Sequence, residues 1–413
     1  MSEQLPNTKT PTSRHNQRQF GFLGSFWHGV LRECRRLSSS PWDLFVLFGI
    51  PLLVIVLFGS LFIGVKAQHL PIVVIDQDQS TLSRTIIRHI NASQTLTITD
   101  ISTNPQAAEH AINTLAIGGY LQIPQGAEKR LVRGDDAGIA IMHNQSFYSW
   151  GSGTASALSS ATHAGIRQFL SQEHFDGLLP HLARTRSHIK IAVLFNPQMS
   201  YELFLEPFLV PAVLHLLLSC LIAFAIGMEF KQNTLNDWLG RSPVSAFFGK
   251  ISVYVAIICL WHWLWLAWLV GVRGYFIAGS GVVLIVAQGL FYWAYALFGA
   301  LIILITQDAN KSFGLLAVYG GSSMSFAGVS LPLNNASGFA KFWSNIIPFT
   351  SYAKLQTQSW IIGTPTANIL PQLVVLMVFV VIFGIACLLL LQKLHHKQHN
   401  QVRNQGQNQG NPS

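Results

Sequence analysis

Two histidines, His215 and His262, stand inside long apolar stretches, with Ser219 and Gln288 at similar depth. Polar side chains in such runs either mark a polar pathway or are neutral groups hydrogen-bonded to a neighbouring helix. The sequence leaves both readings open. Trp261, Trp263, Trp265 and Trp268 crowd around His262. Trp268 lies near the end of its run, as an interfacial aromatic would, and the others are spread round the helix. They suit packing, with an aromatic wall for an amphipathic molecule as the sharper alternative. Asp76 and Asp78 could form a metal or acid–base pair, but their setting before a serine cap reads as a turn. Gly249-Lys250 is no phosphate-binding loop. That motif needs glycine five residues earlier and Ser/Thr next, where Val244 and Ile251 stand. Residues 66–205 contain no G-x-S-x-G, H-E-x-x-H or recognisable Ser/His/Asp frame. The cysteines at 34, 220, 259 and 387 are too scattered for a disulfide framework or a zinc site. An enzymatic role, with a catalytic or cofactor site in this chain, has no motif behind it.

The elements that must hold these residues are apolar helices. Of 413 residues, 50% are hydrophobic and 10% charged, against about 25% charged in soluble domains. Six charge-free stretches reach the roughly 20 residues that cross a bilayer. They are Leu44–Val65, Phe208–Met228, Ile251–Val272, Val282–Thr306, Ser312–Leu331 and Pro371–Leu391. None contains a carboxylate, which argues against an intramembrane acidic proton relay. The fifth is diluted by Gly320, Gly321, Ser322, Ser323 and Ser325, small residues that suit close helix contact. Lys9, Arg14, Arg18, Arg32, Arg35, Arg36, Lys231, Arg241, Lys250, Lys311, Lys393, Lys397 and Arg403 fall on one side of these spans. The other side's short segments carry only Arg273, Lys341 and Lys354. This bias predicts both termini in the cytoplasm. The net charge of +9 follows from the same residues and does not call for nucleic acid.

The predicted fold class is membrane α-helical, six spans with a small α/β external domain between the first two. Residues 1–19 and 392–413 read as polar cytoplasmic tails, disordered over 1–19 and 395–413. Residues 20–43 connect to the first span, 44–65. Phe22, Phe26, Val30 and Cys34 recur every four residues there, as in an interfacial amphipathic helix. Within 66–205, Pro71–Ile75 reads as a buried strand. Ser80 caps a helix through Ile90, with Ile86, Ile87 and Ile90 as its stripe. Leu96–Thr99 alternates like a strand, and Asn104-Pro105 opens a second helix. Gly119–Ile123 and Gly138–Met142 are further strands, and Trp150–Ser187 is a mostly helical return broken near Pro180. Residues 206–391 hold the other five spans, with a cytoplasmic loop at 229–250 and short external helices at 334–363.

Glu229–Leu239 is too polar to enter lipid, while Phe230, Leu235, Trp238 and Leu239 give it an apolar face. Such a helix can dock in a partner's groove or rest on the membrane with Trp238 as an anchor; position alone does not decide.

The order of these parts resembles the membrane subunit of an ABC-2-type exporter, in the branch with a large external domain after span one. Five stretches carry the likeness. They are Leu31-Arg-Glu-Cys-Arg-Arg36 with Pro41 and the run to Pro51; Val73-Val-Ile-Asp-Gln-Asp-Gln-Ser80 with Ser83-Arg84; Phe195-Asn-Pro197 with Pro207 and Pro211; Glu229–Leu239 with Ser242-Pro243 and Gly249-Lys250; and Asn345-Ile-Ile-Pro-Phe-Thr-Ser-Tyr352. Asn233 stands where the family usually has glycine, and Lys231 where a second acid is common.

The resemblance implies an inner-membrane efflux permease, of the multidrug-export kind, that binds no cofactor itself. ATP and magnesium would sit on a partner ABC ATPase. The other partners it implies are the bilayer, a second permease subunit (identical or paralogous) and a periplasmic adaptor. It assigns ATPase coupling to Glu229, Phe230, Thr234, Leu235, Trp238, Leu239 and Pro243. The candidate substrate path or dimer seam comprises His215, Ser219, Trp261, His262, Gly321 and Ser325, and 334–363 would close the exit. The rival reading is a non-transport receptor or envelope-assembly protein that works through the external domain.

Overall fold

The computed structural model describes residues 22–61, 69–113, 116–143, 148–172, 201–240, 242–329 and 336–409. The N-terminal tail, the break near Pro180 and the Phe195-Asn-Pro197 motif lie outside them. The chain divides into two compact units, one of residues 59–207 and one of residues 1–58 with 208–413.

In the first unit, β1 (Leu70–Asp76), α3 (Thr81–Asn91), β2 (Leu96–Ser102), α4 (Pro105–Asn113), β3 (Gly119–Ile123), α5 (Ala127–Val132), β4 (Ala140–His143) and α6 (Tyr148–Gln172) follow in order. The sheet order is β2-β1-β3-β4. β1 runs parallel to β2 and β3, and β4 is antiparallel to β3. A parallel strand covered on both faces must be apolar throughout, which is why Ile72-Val-Val-Ile75 does not alternate. Ile72 and Val74 meet Leu82, Ile86 and Ile90 of α3 and Leu158 and Phe169 of α6. Val73 and Ile75 meet Ala108 of α4 and Tyr120 on the other face. β2 runs three residues past the expected Thr99. A bulge there shifts the register between Ile72 and Val73, and Thr99 Oγ1 donates to Ile72 O at 2.8 Å.

The Asp76–Ser80 turn is structural. Asp76 Oδ1 accepts from the Asp78 and Gln79 amides at 3.1 and 2.9 Å, and Ser80 Oγ accepts from Ser83 N at 3.2 Å. Asp78 reaches across to α5, accepting from Gly126 N at 2.7 Å and Glu128 N at 3.0 Å. Burial alone would raise the Asp78 pKa. The hydrogen bonds from Ser80 and from the amides of Glu128, Gly126 and Ala127 outweigh it, so the net shift is downward.

The second unit is helical: α1 (Phe22–Ser39), α2 (Pro41–Leu61), α7 (Tyr201–Lys231), α8 (Leu235–Leu239), α9 (Pro243–Gly271), α10 (Gly281–Thr306), α11 (Ala309–Phe326), α12 (Gly338–Ile346), α13 (Pro348–Gln356, with a π turn at Thr357–Ile362) and α14 (Thr366–Gln409). α2 and α7 begin or end in the other unit. Among the described residues, five helices are long and apolar enough to cross a membrane: Pro41–Leu61, Leu205–Lys231, Pro243–Gly271, Gly281–Thr306 and Thr366–Leu394. α11, the expected fifth span, is not among them. Its 18 residues rise about 27 Å, just under a bilayer's hydrocarbon thickness, and its glycines and serines lower its hydropathy. Two expectations are corrected here. The span Leu205–Lys231 includes Glu206 and Glu229, because the helix runs past the apolar stretch at both ends. The C-terminal tail is not disordered from 395 but continues α14 to Gln409.

α10 is the hub of this unit, packing against α9, α11, α13 and α14. One crossing is set by a glycine. A Cβ at Gly299 would stand 2.6 Å from Ser219 O, so α7 and α10 touch backbone to backbone there. Ser219 Oγ closes the contact by donating to Tyr295 O at 3.0 Å. The outer faces of α2 and α14 are bare apolar surface: Leu53, Val56 and Leu57 on one, Met377, Val381 and Ile385 on the other, all about half exposed. Such area is expected against lipid rather than water.

Candidate functional site

The base of the helical unit holds a buried charge network. α1 begins it by docking along α9 at a glycine pair. A Cβ on Gly249 would lie 2.6 Å from Phe26 O, and one on Gly29 would lie 3.3 Å from Ala246 O. That approach turns Gly29, Glu33 and Leu37 inward. The stripe expected from Phe22, Phe26, Val30 and Cys34 is therefore corrected: Cys34 is exposed, and α1 packs on protein along a face one position over.

Glu33 on α1 and Glu229 at the end of α7 share one cation, Lys250 of α9. Lys250 Nζ lies 2.6 Å from Glu229 Oε1 and 3.2 Å from Glu33 Oε2, with all three side chains nearly fully buried. Tyr254, one turn along α9, donates to Glu33 Oε1 at 2.6 Å. Thr234, just before α8, donates to Glu229 Oε2 at 2.5 Å. Two partly exposed arginines complete the set. Arg32 pairs with Glu229 at 3.2 Å and Arg36 with Glu33 at 3.3 Å. Each carboxylate so has two cations and a hydroxyl, the saturation that makes buried charge tolerable. The Lys250 ammonium also lies 4.9 Å from the Trp238 ring centroid on α8. The network ties α1, α7, α8 and α9 into one body.

Of the residues expected to couple to a partner, Glu229 is a network member, Phe230, Thr234 and Pro243 are partly exposed, and Leu235, Trp238 and Leu239 are buried. The buried three face their own chain, Trp238 lying 6.4 Å from Phe247 between centroids. A five-residue helix has one apolar face, and here α9 takes it. The outward surface is Lys231, Gln232, Asn233, Asn236 and Asp237. Lys250, expected as a loop charge, is instead an internal counter-ion.

The candidate path residues separate into two groups. His215 and His262 are fully buried within the helical unit. His215 Nδ1 donates to Pro211 O at 3.0 Å, and its ring lies 4.0 Å from Tyr295. His262 Nδ1 bonds Tyr292 Oη at 2.5 Å. Nearby, Phe291 stacks on Tyr352 at 4.1 Å, and Tyr352 Oη donates to Gln356 Oε1 at 3.0 Å. Ser219 belongs to the α7–α10 crossing, and Trp261 sits edge-on to Phe48 of α2 at 6.3 Å. These four hold helices together. Gly321 and Ser325 are elsewhere, on the exposed face of α11 with Gly314, Leu315 and Val318. α13 and its π turn are buried against α10 and α14, as a segment dipping into the bundle would be.

Sequence reasoning missed Glu33 and Tyr254. A signal existed: Glu33 is the lone acid of α1, and Glu229 and Lys250 stand with opposite signs at the ends of neighbouring apolar runs.

The pattern of the family described as ABC-2 family transporter protein matches residues 41–389. That is most of the chain, and it takes in every helix of the bundle except α1 and the end of α14. The chain belongs to the ABC-2 transporter family. It is an ABC-2-type permease, a multi-pass membrane protein and the transporter's membrane subunit, and the family implies an ABC ATPase as its partner. No curated protein matches the chain. The matched range begins at Pro41, so α1, which supplies Glu33, Arg32 and Arg36 to this permease's charge network, lies outside it.

Proposed function

We propose that this permease exports an apolar or amphipathic molecule from the cytoplasm or inner membrane, driven by a separate ATPase. α11 is the fifth span in chain order and brings the total to six, an even number that leaves both termini on the cytoplasmic side with the α/β unit outside. The basic bias supports this orientation even with Lys250 removed from the count. Two such subunits form the pathway, and the exposed small-residue face of α11, with Gly321 and Ser325, is the seam between them. His215, Ser219 and His262 hold the bundle that presents that face.

The charge network carries the reading. α8 is joined to α1, α7 and α9 through Glu229, Lys250 and Glu33, so a displacement of α8 moves the feet of two spans together. The ATPase meets the polar side of α8, Asn233, Asn236 and Asp237. Asp237→Lys then separates ATP hydrolysis from transport or releases the ATPase. Gly321→Trp, at a position with open space around it, leaves the ATPase bound and hydrolysing but stops export. Normal transport by both variants overturns the assignment.

A further inference from the structure

α1 presents a second face, opposite the one that docks on α9. Leu23, Trp27 and Leu31 recur at four-residue spacing and are 72%, 60% and 53% exposed. Beside them His28, Leu31, Arg32 and Arg35 line a groove of about 250 Å³. These four fall at i, i+3, i+4 and i+7, one helical face. The only carboxylate of α1, Glu33, is turned away and committed to Lys250, Arg36 and Tyr254. Arg32 is held at one edge by Glu229, and Arg35 is paired with no carboxylate among the described residues. The surface is thus apolar along one line and cationic along the next, and none of the described residues lining the groove is acidic.

We propose that this groove binds the headgroup of an anionic phospholipid, with the acyl chains lying along Leu23, Trp27 and Leu31. Only Ser40 separates α1 from α2, the first candidate span, so this face sits at the membrane boundary and not in bulk water. An amphipathic helix there buries its apolar line at the headgroup–acyl boundary, and its basic residues select negative lipid. Tryptophan favours the same depth. The groove is smaller than the about 300–1,000 Å³ of ordinary ligand pockets. It suits a phosphate-bearing headgroup but not a whole lipid, which is why the chains need the exposed line outside it. Arg32 links the site to the charge network, because it lines the groove and its guanidinium contacts Glu229. The proposal rests on the membrane reading of α2 and on neither the export direction nor the identity of the cargo.

The test uses the full-length chain in nanodiscs and a photoactivatable phosphatidylglycerol, with labelled positions mapped by mass spectrometry. Labelling is expected on residues 23–35, displaced by unlabelled phosphatidylglycerol but not by phosphatidylcholine or inorganic phosphate. Removing one basic residue near an anionic surface lowers affinity about fivefold. Arg35→Ala should therefore weaken labelling about fivefold and Arg35→Glu more, with thermal stability unchanged because Arg35 is exposed. Displacement by phosphatidylcholine as readily as by phosphatidylglycerol overturns the headgroup claim. Displacement by inorganic phosphate alone reduces the site to a free-anion site. Loss of labelling when the partner ATPase is bound assigns the face to that protein and overturns the lipid claim while leaving the permease reading intact.

Discussion

Lys250→Met removes the one cation that Glu33 and Glu229 share, while nearly keeping side-chain length. Both carboxylates lie within hydrogen-bonding distance of Nζ, so they stand within about 6 Å of each other. At an effective dielectric constant near 20, two bare charges at that separation repel by about 3 kcal/mol. Breaking a buried ion pair by deleting one partner costs about 3–5 kcal/mol. Arg32 and Arg36 remain, but their side chains are 34% and 28% exposed and partly screened. They bring the expected loss to the lower end, about 3 kcal/mol. For a body of this size that is a fall in Tm on the order of 10 °C. The triple change Glu33→Gln, Glu229→Gln, Lys250→Met removes the repulsion as well and should recover most of that stability. Thermal unfolding of the purified full-length chain, followed by tryptophan fluorescence, reads both. A single-variant shift below about 2 °C, or a triple variant less stable than the single one, would refute the buried-network reasoning.

Gly249→Leu places a side chain where Phe26 O lies 2.6 Å from an added Cβ. It should separate α1 from α9, seen as lost disulfide cross-linking between cysteines placed on the two helices, whereas Gly29→Ala, with 3.3 Å to its nearest atom, demands a shift of only a few tenths of an ångström and should keep the cross-link. Gly299→Val should disrupt the α7–α10 crossing and lower Tm, and Gly321→Val, with open space around it, should not. Asp78→Ala should speed amide hydrogen exchange over residues 126–132, with a loss of about 1 kcal/mol typical of a lost helix cap. Because the folded Asp78 pKa is depressed, its contribution is complete above the unfolded carboxylate value and disappears as pH falls through the lower folded value. The exchange difference between wild type and variant should therefore vanish on acidification.

The apolar runs were readable as helices because an uninterrupted stretch of that length has few other uses. The α/β unit was readable because each element carries local chemistry: the Ser80 cap, Asn104-Pro105, and the continuous apolar β1. α5 was not, since six residues show no period; it starts after Gly126 at φ +78° and is held by Asp78, 48 positions earlier. The charge network escaped for a related reason. Glu33 meets Tyr254 from 221 positions away and Arg32 meets Glu229 from 197, and only tertiary packing makes such distant ionisable groups partners. α8 shows the limit of amphipathicity as a guide. Leu235, Trp238 and Leu239 do form one apolar face, but the pattern cannot say whether a partner or the chain's own α9 covers it.

The permease reading is tested most directly by a photo-crosslinking amino acid at Asp237 in the affinity-tagged full-length chain, with captured proteins identified by mass spectrometry. Phe276, 77% exposed between α9 and α10 at the other end of those helices, is the matched control. The account predicts that position 237 captures a protein carrying a phosphate-binding ATPase motif and that position 276 does not. Capture of the ATPase from 276 and not from 237 would contradict it.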